Sequence, residues 1–140
     1  MSLTAKQVQD LIRDGIPMAE DIDLRIEEIG EGFARIRIPF QDKNLRPGGS
    51  ISGPTLMAAG DTAMYAAILG SLGEVTMAVT SNLNINFMQR PKDVDIVAEG
   101  TILKLGKRMA FCEVSIKGDG SDDMYAHVTG SYSLPPESAQ

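Results

Sequence analysis

Residues 54–72 read PTLMAAGDTAMYAAILGSL and decide the fold of this chain. The stretch is apolar nearly all round, and Asp61 is its only charged residue. Pro54 marks the start of a helix, because proline is favoured in the first helical turn, and Gly70 and Gly73 mark its end. A membrane-spanning helix needs about 20 strongly apolar residues, whereas alanine and an aspartate interrupt this run. We therefore predict a buried helix, which other elements must cover on every side.

Strand patterns flank this helix on both sides. Before it, alternating apolar residues predict a hairpin whose strands begin at Ile22 and Phe33 and are joined by a glycine turn. Further strands are predicted over residues 75–88, 94–105, 109–117 and 124–134. A short N-terminal helix is predicted over residues 5–15. This order favours an α+β fold, in which a curved antiparallel sheet of about six strands wraps around one long central helix. We expect a single domain over residues 1–140.

Composition limits the possible functions. The chain has 13 basic and 19 acidic residues, so its net charge is -6, which argues against nucleic acid and anionic membranes as partners. One cysteine and one histidine cannot form an internal disulfide or a structural zinc site. The N-terminus lacks the pattern of a signal peptide. We expect a cytoplasmic protein without a metal or resident cofactor.

Asp61 is the residue that points to chemistry. A carboxylate in an apolar interior must become neutral or find hydrogen-bond partners. Such a group is a candidate base or nucleophile. The alternative is that Asp61 lies at a solvent-lined face or accepts a bond from a nearby backbone amide. The pattern alone leaves both interpretations open.

The start of the helix, Ser52-Gly53-Pro54, is a second candidate. Free backbone amides at a helix N-terminus can polarise a carbonyl oxygen or stabilise an oxyanion. Gly53 lets a ligand approach the backbone closely. Taken alone, these residues are better explained by an ordinary cap and turn.

Four segments together resemble one protein family. They are residues 52–63 (SGPTLMAAGDTA), 80–91 (TSNLNINFMQRP), 105–111 (LGKRMAF) and 126–132 (AHVTGSY). The chain resembles the hotdog-fold thioesterases of the phenylacetate-pathway type, whose helix starts with His-Gly-Gly, followed by small or apolar residues and then an acid. Ser52 stands in place of the histidine. Pro54 replaces the second glycine and has no amide hydrogen to donate.

The resemblance implies the hotdog fold and hydrolysis of an acyl-coenzyme A, with coenzyme A as part of the substrate. It implies a homodimer, or a dimer of dimers, with active sites at the interface. Asp61 matches the base or nucleophile, and Gly53 of the other chain matches the donor that polarises the thioester carbonyl. Thr80, or alternatively Ser81, matches a hydroxyl that helps to place the water. Ser52 stands at the position of the family's histidine and can still donate a hydrogen bond. Asn44 is the residue nearest to the family's loop asparagine, whereas gapless counting places Arg46 at that position.

Substrate-binding residues follow from the same resemblance. Coenzyme A carries phosphates, so Arg90, Lys107 and Arg108 at predicted strand ends are candidates to bind them. Met57 and Tyr65 on the helix are candidates to line an acyl pocket. A solvated hairpin and a plain core position are the alternative interpretations of these two sets.

Two other functions compete with hydrolysis. A hydroxyacyl dehydratase on the same fold needs a histidine paired with an acid, and the single histidine, His127, lies in the last predicted strand. A non-catalytic protein that binds acyl ligands would tolerate the departures at Ser52 and Pro54. The two classes differ in whether an acyl-coenzyme A is turned over or only bound.

Overall fold

The computed structural model describes residues 3–136. Its helices are α1 (Ala5–Gly15), α2 (Pro17–Asp21) and α3 (Gly53–Leu72), and its strands are β1 (Arg25–Gly30), β2 (Phe33–Ile38), β3 (Val79–Phe87), β4 (Ile96–Leu105), β5 (Met109–Gly118) and β6 (Met124–Ser133). The strands form one six-stranded sheet in the order β1-β2-β4-β5-β6-β3, and every pair is antiparallel. The predicted architecture, a curved antiparallel sheet around one long helix, is confirmed.

Helix α3 forms the centre of the core. The side chain of Ser52 caps its first turn by accepting a hydrogen bond from the amide of Thr55, and Pro54 occupies a first-turn position. Most residues of α3 are buried, as its apolar composition predicts. The sheet approaches the helix closely where Gly100 of β4 faces the backbone of Ala63. Within residues 3–136 no helix has the length and apolar character that crossing a membrane requires.

The N-terminal segment departs from the prediction at one point. Helix α1 forms as predicted, and Thr4 and Gln7 build a capping box at its start. The strand predicted from Ile22 begins only at Arg25, because Pro17 starts the short helix α2. The apolar side chain of Ile22 is buried beside this helix rather than in a strand. Alternation over so few residues cannot distinguish a strand from a helical turn followed by a strand.

Strand β3 lies at one edge of the sheet and bonds only to β6. It was predicted from Val75 but begins at Val79, because residues 75–78 form a turn in which the amide of Ala78 bonds to the carbonyl of Val75. Leu83 and Ile85 are half-buried against the helix side of the sheet, and the alternate asparagines are exposed. The outer edge of β3 therefore offers unpaired backbone groups.

Candidate active site

The carboxylate of Asp61 accepts hydrogen bonds from two hydroxyl groups. Thr80 Oγ1 donates to Asp61 Oδ1 at 2.8 Å, and the Tyr132 hydroxyl donates to the same oxygen at 2.6 Å. The Tyr132 hydroxyl also lies 3.1 Å from the backbone oxygen of Asp61. Within residues 3–136, Asp61 Oδ2 has no hydrogen-bond partner and the carboxylate has no ion pair. One oxygen is thus fixed while the other is free for chemistry.

A β-bulge gives Thr80 this position. Thr80 pairs with Tyr132 across β3 and β6, whereas Asn82 pairs with Ser131, so Ser81 is the extra residue of the bulge. Side chains alternate along a strand, and the extra residue brings Thr80 to the same face as Leu83. Of the two hydroxyls that the sequence left open, Thr80 contacts Asp61.

Tyr132 belongs to this cluster, although the sequence did not single it out. It is 3% exposed, and its ring stacks on that of Tyr65 with centroids 5.9 Å apart and planes at 12°. The Tyr65 hydroxyl donates to the backbone oxygen of Thr76 at 3.0 Å. Burial, followed by the nearby charge of Asp61, raises the pKa of Tyr132. The hydroxyl therefore stays protonated and remains a donor at neutral pH. Only the cross-strand register, which a single sequence does not reveal, brings Tyr132 to Asp61.

A cleft of about 520 Å³ opens beside the carboxylate. Asp61, Tyr65 and Tyr132 line one side of it, and Leu11 and Ile16 of the N-terminal segment close another. Among the described residues 3–136, the cleft lining carries no titratable side chain apart from the carboxylate and the two phenol groups. The cleft offers an apolar space next to one acid.

The start of α3 forms a second, separate surface. The amide of Gly53 has no hydrogen-bond partner within residues 3–136, and the ring of Phe87 lies beside it. An open groove of about 470 Å³ runs past Gly53, Phe87, Arg46 and Arg90. This surface combines a free backbone donor at a helix N-terminus with two cationic side chains.

The two remaining candidates, Ser52 and Asn44, form hydrogen bonds beside the start of α3. The hydroxyl of Ser52 lies 2.8 Å from that of Thr55, and the Ser52 amide donates to the backbone oxygen of Asn44 at 2.9 Å. Asn44 is 7% exposed, and its side-chain nitrogen has no partner within residues 3–136. These residues lie next to Gly53, and no contact joins them to Asp61 of the same chain.

The structure separates the predicted basic residues. Arg90 donates to the backbone oxygen of Gly48 at 2.5 Å, beside the start of α3. Arg108 donates to the backbone oxygen of Leu134 at 3.3 Å, at the opposite end of the sheet, and Lys107 is exposed next to it. Met57 lies on α3 and is 43% exposed rather than enclosed in a pocket. Of the predicted acyl-pocket residues, only Tyr65 lines the cleft at Asp61.

His127 lies on the other face of the sheet. Its neighbour Val128 packs against Gly60 of α3, so the His127 side chain points away from the helix. There it bonds to Glu113, with 3.0 Å between Nε2 and Oε1. Within residues 3–136, no group of three or more histidine, cysteine or acidic side chains could hold a metal ion.

A comparison with known families matches residues 48–124 to the thioesterase superfamily. The chain belongs to the thioesterase superfamily. This stretch contains α3, the strand that supplies Thr80 and most of the groove at Gly53. Tyr132 and the N-terminal side of the cleft at Asp61 lie outside it. Membership of this superfamily supports hydrolase activity for the chain.

Three individual proteins illustrate what this thioesterase-superfamily chain is similar to. A protein of Saccharolobus solfataricus that bears a provisional esterase name is 27% identical over 130 residues, which is 93% of this chain and 85% of that protein. A crystal structure from a Silicibacter species, provisionally named a thioesterase, is 29% identical with a TM-score of 0.86 and covers 96% of this chain and 93% of that one. The PaaI protein from the phenylacetic acid degradation operon of Escherichia coli shares the fold, with 20% identity, a TM-score of 0.82 and coverage of 94% and 93%.

Proposed function

We propose that this protein is an acyl-coenzyme A thioesterase of the phenylacetate-pathway type that works as a homodimer. The observation that carries the proposal is the Asp61 carboxylate, which lines a cleft with Oδ1 bound to Thr80 and Tyr132 and with Oδ2 free of partners within residues 3–136. A free carboxylate oxygen beside an apolar space is what a base or nucleophile needs in order to act on a thioester.

One chain cannot supply both the base and the donor to a single thioester. Gly53 and Asp61 are eight residues apart on α3. This spacing separates them by about 12 Å along the helix and by about 80° around it. The attacking atom must lie about 3 Å from the carbonyl carbon, and the oxyanion donor must lie about 3 Å from the oxygen of the same carbonyl. A second copy of the chain therefore has to provide one of the two groups.

The edge strand β3 is a surface through which the second copy can pair with this chain. Thr80 lies near the start of β3, and Phe87, which contacts Gly53, ends the strand. If two copies pair antiparallel through β3, the start of one strand meets the end of the other. Asp61 of one chain then faces Gly53 of its partner. Several large apolar side chains that are exposed on the single chain would become covered: Met57, Met77, Val79, Phe87 and Met88.

The chemistry then divides between the two chains. The Gly53 amide polarises the thioester carbonyl and stabilises the negative charge that develops on its oxygen. Oδ2 of Asp61 takes a proton from water as the water oxygen bonds to the carbonyl carbon, or it attacks that carbon itself. The carbon–sulfur bond breaks, and coenzyme A leaves as the thiolate. In the base route, the proton that Asp61 took from water is returned to the thiolate and the free acid is released. In the nucleophile route, the acyl group forms an anhydride with Asp61, and water hydrolyses this anhydride to the free acid and supplies the proton for the thiolate.

The same pairing would bring the predicted phosphate-binding residues of the two chains together. Within one chain Arg90 and Arg108 lie beyond opposite ends of β3, which is nine residues long. That separation is about 30 Å. Antiparallel pairing brings Arg90 of one chain toward Lys107 and Arg108 of the other, where together they would bind the phosphates of coenzyme A.

The orientation of His127 disfavours the dehydratase alternative, because this histidine points away from α3 and the cleft. The non-catalytic binder stays in competition because Ser52 and Pro54 alter the donor loop. The cytoplasmic location also stays a prediction.

A panel of aromatic, short-chain and medium-chain acyl-coenzyme A thioesters tests the proposal. Wild type should release free thiol from at least one class, and D61N should abolish turnover while it keeps the fold and binds the same thioester. The control is D10N, which changes an exposed acid on α1. If wild type and D61N bind the thioesters equally and neither hydrolyses any of them, the protein is a binder.

A further inference from the structure

Two hydroxyls converge on one oxygen of Asp61, and only one of them comes from a position that the family resemblance marks. We propose that Tyr132 is a positioning residue, whose hydroxyl fixes Oδ1 of Asp61 so that Oδ2 is the oxygen that takes part in hydrolysis. This inference rests on the proposed function of the same site.

Tyr132 is the better anchored of the two donors. It lies on β6, which has β5 on one side and β3 on the other, whereas Thr80 lies on the edge strand. The Tyr132 ring is 3% exposed and stacks on Tyr65, so it has little freedom to rotate. Its hydroxyl reaches both the carboxylate and the backbone oxygen of Asp61, which ties the side chain to the helix that carries it.

A carboxylate needs such an anchor because its terminal torsion is broad and selects no single orientation. Hydrogen bonds therefore decide which oxygen faces the substrate. At 2.6 Å the bond from Tyr132 is the shorter of the two. Tyr132 thus holds Oδ1 of the carboxylate together with Thr80, from the more rigid of the two strands.

The surroundings of Asp61 make these hydroxyls its main electrostatic partners. The cleft lining from α1 is Leu11 and Gly15, and from β3 it is Val79 and Thr80. Its other titratable groups are the phenols of Tyr65 and Tyr132. No lysine, arginine or histidine of residues 3–136 forms an ion pair with Asp61. Thr80 and Tyr132 are neutral donors, so they orient the carboxylate and leave its negative charge in place. A cation in their position would neutralise that charge.

The variant Y132F removes the donor and keeps the ring. We expect kcat to fall about tenfold or more, since hydrogen bonds to charged groups are among the stronger ones, while KM stays close to that of wild type. A purely structural role would not lower kcat while it leaves KM unchanged.

The matched control is Y125F. Tyr125 also lies on β6 and is fully buried, but its hydroxyl accepts a bond from the Lys92 amide at 3.3 Å, away from the cleft. Y125F loses a buried hydroxyl from the same strand and should keep the wild-type kcat and KM. Thermal unfolding of both variants shows whether each remains folded.

A second measurement does not depend on turnover. In protein labelled with ¹³C at aspartate carboxyl carbons, the Asp61 signal, assigned by its absence in D61N, should differ in chemical shift between Y132F and wild type, because the carboxylate loses a donor at Oδ1. The signal should stay unchanged in Y125F. An Asp61 signal in Y132F at the wild-type position, together with an unchanged kcat, would overturn the role of Tyr132. If wild type hydrolyses no thioester but the change in the Asp61 signal persists, the hydrolase proposal fails and the control of Asp61 by Tyr132 stands.

Discussion

The ring of Phe87 lies against Gly53, with its Cζ atom 3.5 Å from the place that a Cβ on Gly53 would take. That distance is an ordinary van der Waals contact, so a methyl group fits there. The φ angle of Gly53 is not positive, and the preceding Ser52 has φ -72° and ψ 152°. This is the extended conformation that a residue before proline adopts. On the Phe87 side, position 53 has room for both alanine and proline. Both variants add a Cβ before Pro54, which disfavours the helical backbone at position 53 in each of them, and they differ in the amide hydrogen.

A comparison of G53P with G53A therefore separates the effect of losing the amide donor from the effect of adding side-chain atoms at position 53. Proline is favoured at the first helical position, and the lost hydrogen has no partner within residues 3–136. The two variants should therefore lose a similar amount of stability, that of a Cβ placed before Pro54, and thermal unfolding of both checks that each remains folded. Loss of an oxyanion donor should lower kcat by about 10²–10³-fold. G53A keeps the donor and should lose far less. Equal activity in G53P and G53A would exclude the Gly53 amide as the donor.

Mixed dimers test whether each site draws on two chains. D61N and G53P should each be inactive alone, but a dimer with one chain of each contains one site with both groups intact. Random pairing by co-expression should restore about a quarter of the wild-type activity, because half of the dimers are mixed and half of their sites are complete. Steady-state assays on the mixture, set against the two separate variants, measure this recovery. No recovery above the separate variants would mean that each chain uses its own Gly53 or none.

The helix was predictable from sequence because its composition leaves few alternatives. An apolar run with one acid and a proline at its start fits only a covered helix. The strands after it followed from period-two alternation and from their glycine and proline boundaries. Asp61 stood out for the same reason, as the one charge on that helix.

The missed features depend on contacts between distant segments. Tyr132 reaches Asp61 because β6 pairs with β3 in a particular register, and the bulge at Ser81 turns Thr80 toward the helix. Neither the register nor the bulge can be obtained from residue spacing alone. Helix α2 was missed because Ile22 and Leu24 alternate like strand residues, although the chain there is turning.

Cys112 should behave as a core residue and not as a reactive thiol. It is 1% exposed on the inner face of β5, and burial raises its pKa to about 11. Since the thiolate is the reactive form, the native protein should not react with a disulfide reagent at pH 8. One thiol per chain should react after unfolding in guanidinium. Fast labelling of the native protein would show that the β5 region opens.

Asp23 should make stability depend on pH in the acid range. The hydrogen bond from Arg25, followed by that from Arg13, lowers the pKa of Asp23. A carboxyl group whose pKa is lower in the folded than in the unfolded state stabilises the fold at pH values above the unfolded pKa, about 4, and loses that contribution as the pH falls through the folded pKa. D23N suits the φ of 55° at this position, because asparagine tolerates left-handed backbone.

At pH 7, D23N should therefore lower the free energy of unfolding by about 0.5–1 kcal/mol, and the difference from wild type should vanish toward low pH. Urea unfolding at a series of pH values measures this difference. The control D14N changes an exposed acid that forms no ion pair within residues 3–136. A difference that persists unchanged at the lowest pH would show that the effect does not come from the charge of Asp23.

The contact between β4 and α3 links stability to the site. A Cβ on Gly100 would lie 2.8 Å from the backbone oxygen of Ala63, two residues beyond Asp61, so G100A must push the helix away from the sheet. We expect a loss of about 1–3 kcal/mol in the free energy of unfolding. A fall in kcat should accompany it, because displacement of the helix moves Asp61 relative to Thr80 and Tyr132. In the control G30A, the nearest atom to the new Cβ is 3.7 Å away, so stability and activity should stay near wild type. Urea unfolding and thioester assays on both variants measure the two effects, and a destabilised G100A that kept full kcat would show that the carboxylate tolerates movement of its helix.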